Sequence, residues 1–109
     1  MAYDEGLAQR VSEVLGERPE LVAKKMFGGV GYMLRGNMAC GILGQGLIVR
    51  VGLDCYEEAL AAPHTGVFGH RGRAMKGWVL VAPEGTADDD ALRAWVQQGV
   101  AFALTLPAK

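Results

Sequence analysis

Two glycine-bearing breaks, Gly36-Asn37 and Gly44-Gln45-Gly46, constrain what this chain can fold into more than any other feature. They divide residues 26 to 35, 38 to 43 and 47 to 51 into three short runs rich in apolar and β-branched side chains. Glycine and asparagine tolerate the positive φ that tight hairpin loops demand, so the spacing predicts an antiparallel meander. A glycine-rich stretch beginning Met26-Phe-Gly-Gly invites comparison with a nucleotide-binding loop. However, Gly29 and Gly31 are followed by Leu34 where a third glycine belongs, and the chain runs on into a strand. Neither the dinucleotide fingerprint nor a P-loop is present, and the sequence calls for no cofactor.

Helical periodicity flanks the meander. Leu7, Val11, Val14 and Leu15 fall on one face of a helix from Asp4 to Leu15, stopped by Gly16. Pro19 in "RPELVAKK" suits the first turn of a second, brief helix. Asp54 to Ala62 reads as a short helix closed by Pro63, followed by a loop over residues 63 to 74. Met75 to Ala82 is a further strand. Thr86-Ala-Asp-Asp89 then opens a last helix, on which Leu92, Trp95, Val96, Gly99, Phe102, Ala103 and Leu106 recur at helical spacing. The expected fold is α+β, an antiparallel meander with flanking helices in the order α-β3-α-β-α, as one domain over residues 1 to 109.

Strand alternation sorts the side chains into two sets. With Gly36-Asn37 as the loop, Arg35 faces Met38, Met33 faces Cys40 and Gly31 faces Ile42. With Gly44 to Gly46 as a three-residue loop, Ile48 and Arg50 join that side, and Lys76, Trp78 and Leu80 follow in phase. The opposite side, Val30, Tyr32, Leu34, Ala39, Gly41, Leu43, Leu47, Val49 and Val51, carries no charge and is the expected core. Small Ala39 and Gly41 at its centre would let a helix approach closely.

A sheet backed by helices on one side normally shows polar residues on the other. Here the outward set includes Met33, Met38, Ile48, Trp78 and Leu80, with Arg35 and Arg50 as its charges, which is interface composition. These seven are the candidate interface residues, and a second copy in a two-fold dimer is the simplest expected partner. The C-terminal helix or the 63 to 74 loop is the alternative cover.

Bulk properties narrow the function classes. A formal charge of −1 over 109 residues gives no global attraction to a polyanion, so any DNA contact would be local and weak. His70, Arg71, Arg73 and Lys76 in the glycine-rich segment after His64 are the basic-loop candidates for it. No apolar run reaches the roughly 18 to 20 residues of a membrane span, and the acidic, polar N-terminus is unlike a signal peptide, so the expected location is cytoplasmic. Cys40 and Cys55 form no CxxC pair, and the two histidines lie outside common ligand spacings, so no metal is expected. A Cys40 thiolate paired with His64 or His70 would be the route to a cysteine-dependent enzyme. Nothing in the sequence orients such a pair, and no catalytic role is expected.

"KKMFGGVGYMLRGNMACGILGQGLIVRVG", followed by a helix, "MKGWVLVAPEG" and an acidic-started helix containing Trp95, resembles the TfoX/Sxy family N-terminal domain over nearly the whole chain. That resemblance implies a secretion-chaperone-like fold, usually dimeric. It also implies a bacterial regulatory role in DNA-uptake competence, as a coactivator partnering a transcription factor of the cyclic-AMP receptor protein type. The sequence here ends at Lys109 as a stand-alone copy of the domain, which weakens the transfer of coactivator activity.

Overall fold

A computed structural model describes residues 3 to 26, 28 to 70 and 72 to 109, with His70 described by its backbone alone. Helix α1 (Glu5–Leu15) leads into a four-strand meander, β1 (Leu21–Met26), β2 (Gly29–Leu34), β3 (Asn37–Leu43) and β4 (Gly46–Arg50). Helix α2 (Tyr56–Ala61), strands β5 (Thr65–His70) and β6 (Arg73–Val81), the short α3 (Pro83–Thr86) and α4 (Asp89–Leu104) complete the chain. All pairings are antiparallel in one sheet of order β1-β2-β3-β4-β6-β5. The α+β class is as expected, but the element order is not, because two edge strands join the sheet.

Both additions replace segments that local propensity assigns elsewhere. Residues 21 to 26 contain good helix formers, yet a helix that short is marginal alone, and pairing with β2 satisfies the backbone instead. Residues 65 to 70 carry Thr65, Val67 and Phe68 between glycines, and they form the outer strand of a hairpin with β6. The 63 to 74 segment is therefore largely part of the sheet plane and not a loop laid across it.

The helix boundaries follow their caps. Asp4 accepts the Leu7 N–H at 3.1 Å, and Gly16, at φ 66°, returns its N–H to Ser12 O at 2.9 Å. Helix α4 is capped by Asp88, which accepts from Ala91 N–H at 3.0 Å, with Asp89 and Asp90 in the first turn. Thr86, the expected cap, is instead buried in α3, its hydroxyl donating to Pro83 O at 3.3 Å.

One face of the sheet carries the core. Leu7, Val11 and Leu15 of α1, Ala59 of α2 and Leu92, Val96, Val100 and Ala103 of α4 bury against Val30, Tyr32, Leu34, Ile42, Leu47, Val49, Val79 and Val81. Helix α4 comes closest at Gly99, where a methyl group would collide with the Ala39 carbonyl oxygen. The small residue on the sheet is Ala39, as expected, while its counterpart lies on the helix. Trp95 packs against the core from its rim.

The hairpin registers are shifted from those expected. The β2–β3 loop is Arg35-Gly36, both at positive φ, so Leu34 faces Asn37 and Met33 faces Met38. A bulge then absorbs one residue of β3, and Tyr32 faces Cys40, Gly31 faces Gly41 and Val30 faces Ile42. Asn37 accounts for the shift. It is 3% exposed and donates its side-chain N–H to Pro107 O at 2.9 Å, while Lys109 N–H donates to Arg35 O at 2.9 Å. The C-terminal segment thus draws Asn37 to the helical side. Leu43 faces Gly46, which shortens the next loop to Gly44-Gln45. As a result Cys40 and Ile42 enter the core, while Gly41 and the exposed Leu43 leave it.

Candidate functional site

The sheet face opposite the helices is the most distinctive surface of the molecule. Its rows follow from the register: Val22, Met33 and Met38; Lys24, Gly31, Gly41, Ile48 and Leu80; and Arg50 beside Trp78. Among the described residues no helix lies over it, since α1, α2 and α4 share the buried cluster of the other face, and α4 reaches it only at its Arg50 end, through Phe102. Ile48 is nevertheless 5% exposed and stands outside that cluster, so neighbouring side chains on the open face cover it. Met26, Met33, Met38, Phe68, Trp78 and Leu80 are half-buried, and Val22 is 58% exposed.

Glycine gives this face its relief. At Gly31 a Cβ atom would meet the terminal methyls of Met26, at 3.1 Å, and Met38, at 3.3 Å. At Gly46 it would meet Leu80 Cδ1 at 2.8 Å. Long apolar side chains therefore lie down over bare backbone, forming a low platform whose methionines can change rotamer at little cost.

Arg50 is the anchored charge of the platform. Its guanidinium carbon lies 5.1 Å from the Trp78 ring centroid and 5.5 Å from that of Phe102 on α4, a cation–π contact to both rings. Trp78 in turn packs against Phe68, with centroids 6.4 Å apart. Among the described residues, the ion pairs are Arg10 with Asp89 at 3.0 Å and Arg93 with Asp90 at 3.2 Å. Neither involves Arg50, whose planar charge is held by rings and lacks a carboxylate.

The structure thus brings Met33, Met38, Ile48, Arg50, Trp78 and Leu80 onto one face. Arg35 departs from that group, because it forms the positive-φ turn at φ 54°. Lys76 is exposed, but between the Val79–Val67 and Ala74–Gly69 pairs β6 has four residues against one in β5, which breaks the alternation linking it to Trp78. Sequence reading missed Val22 and Lys24, whose alternation in β1 was masked by helix-forming neighbours, Met26, which it set at the start of the 26 to 35 run and which instead ends β1, and the ring partners Phe68 and Phe102.

The basic candidates are spread along the β5–β6 hairpin. His70 pairs with Arg73 across the turn through their backbones, Arg73 is exposed, and Arg71 lies outside the described residues. His64 sits before β5 at φ 64°, at the far end of that strand, and its carbonyl accepts from Ala82 N–H at 2.8 Å. Cys40 is fully buried, and burial pushes its thiol up to about 12, so it is a poor nucleophile at neutral pH. Among the described residues, no group of three or more His, Cys, Asp or Glu is placed to hold a metal ion, and no helix is long and apolar enough to cross a membrane.

The TfoX N-terminal domain family matches residues 13–103. The chain belongs to that family. The match takes in the whole meander, the β5–β6 hairpin and nearly all of α4, so this TfoX N-terminal domain carries its open face entirely within the family's span. No curated protein and no solved structure matches the chain at a significant level.

Proposed function

We propose that this TfoX N-terminal domain is a regulatory protein-interaction module whose working surface is the open sheet face. One observation carries the reading: a sheet face without helices, formed of Met33, Met38, Ile48, Leu80 and Trp78, with Arg50 fixed at its end. Contiguous apolar surface of this kind is costly to leave in water and marks interaction sites. Family membership supports a transcriptional role, with the domain acting as a coactivator component beside a transcription factor of the cyclic-AMP receptor protein type. Solvation of the exposed charges on the β5–β6 hairpin needs no nucleic acid, so direct DNA binding is the weaker reading.

The test is fluorescence anisotropy of a labelled DNA duplex titrated with the protein, alone and with the receptor protein present, at two salt concentrations. Enhancement that requires the receptor, and that is lost in Trp78→Ala and Met38→Glu, supports the module. Salt-sensitive binding without the receptor, lost in Arg73→Ala with Lys76→Ala, moves the function to the hairpin. No change in either arm removes the coactivator role.

A further inference from the structure

We propose that the open face receives an amphipathic helix of an acidic protein partner, with a carboxylate of that helix on Arg50 and its apolar stripe over Leu80 and the methionines that cover Ile48. The inference rests on the reading of this face as a docking surface and adds the chemistry of what docks there. Three observations carry it.

The first is charge. Among the described residues in the rows of its register, Lys24 and Arg50 carry the charge of the open face and none is acidic. A second copy placed face to face would present cations and apolar groups to cations, with no carboxylate to pair them. A partner whose helix carries aspartate or glutamate beside leucine-like residues meets both the charge and the apolar surface.

The second is the state of Arg50. A guanidinium already stacked on Trp78 and Phe102 has little rotamer freedom left to lose, and its fork of donors suits a carboxylate. Surface arginines usually sample many conformations, so this side chain is unusually well prepared for a ligand.

The third is shape. Sheet faces present side chains while their backbone groups are already paired, so an added strand finds nothing to bond there. Gly31 and Gly41 lower the middle of the row that continues to Ile48 and Leu80, with Met33 and Met38 on one side of them and Met26 on the other, and the Met38 side chain lies across the dip. Helix α4 uses the same device on the opposite face, where small residues let it approach β3. The methyl of Met38, lying over the dip, is flexible enough to move aside.

The experiment is selection of a phage-displayed library of amphipathic helices against the full chain, with charged positions randomised among Asp, Glu, Lys, Arg and Gln. Binders are then measured against wild type, Arg50→Gln, Arg50→Lys and Met38→Glu, each checked for native circular dichroism. Light scattering of the free protein runs alongside. The expected result is binders rich in acidic residues that Arg50→Gln weakens by about tenfold, Arg50→Lys by less, and Met38→Glu abolishes.

Binders that are basic or neutral, or that ignore Arg50, overturn the inference while leaving a docking face if Met38→Glu still abolishes them. A dimer in free solution that Met38→Glu dissociates also overturns it, since a second copy then occupies the face. Failure to recover any binder sensitive to Met38→Glu, from a monomeric protein, overturns both this inference and the docking-face reading.

Discussion

At the scale of single residues, Cys40 shows how one step of register changes chemistry. Local alternation places it on the outward side, where a thiol is available; the bulge at Ala39 turns it into the core, fully buried opposite Tyr32. Its thiol is held neutral up to about 12, against 9.0 for an ordinary cysteine. Because the folded value is the higher, the unfolded chain ionises first as pH rises. The stability this neutral burial contributes is therefore complete below about pH 9 and lost progressively toward pH 12. Tyr32, raised mainly by burial, adds to the same alkaline loss. Urea midpoints measured against pH should fall above pH 9, and less steeply in Cys40→Ala. Iodoacetamide followed by mass spectrometry should modify half-buried Cys55 well before Cys40, and equal rates would contradict the burial. Gly99 offers a second single-residue test. A side chain there must push α4 away from the Ala39 carbonyl, so Gly99→Val should cost about 2–3 kcal/mol in chemical denaturation, despite valine's greater apolar surface.

Elements in this chain form where caps and partners agree. Asp88 supplies the first bond of α4, and its replacement by alanine should lower stability by about 1 kcal/mol, visible as a reduced thermal midpoint with an unchanged fold. The β2–β3 hairpin depends on a more distant partner. Asn37 is buried beside the C-terminal segment and donates to Pro107 O, so Asn37→Ala leaves that carbonyl without its donor and loosens the segment from the turn. Hydrogen exchange should speed up at Lys109, whose N–H bonds to Arg35 O, well before it does in the core strands. Both helices with strong aspartate caps and a clear apolar stripe were legible in the sequence. The meander was legible too, because its turns are built from glycine. Strands β1 and β5 were not, since a short edge strand has no local signature when it contains Ala-Lys-Lys or alternates with glycine.

For the whole molecule, the question is what a one-sided sheet does with its second side. All three longer helices bury apolar stripes against the same face, leaving methionines, Trp78 and Ile48 on the other. Trp78→Ala should remove the ring that holds Arg50 and weaken partner binding roughly tenfold or more, while circular dichroism stays native. An unaltered affinity for any partner found would move the working surface elsewhere. Period and turn chemistry are local, so they were enough to set the class of the fold, strands β2, β3, β4 and β6, the first and last helices and the apolar character of both sheet faces. Tertiary structure alone decided the register of β3, the recruitment of β1 and β5, and the pairing of Arg50 with Phe102. Each of these rests on contacts between segments far apart in the chain, where the buried Asn37, the Gly99 approach and the edge pairings outweigh what neighbouring residues prefer.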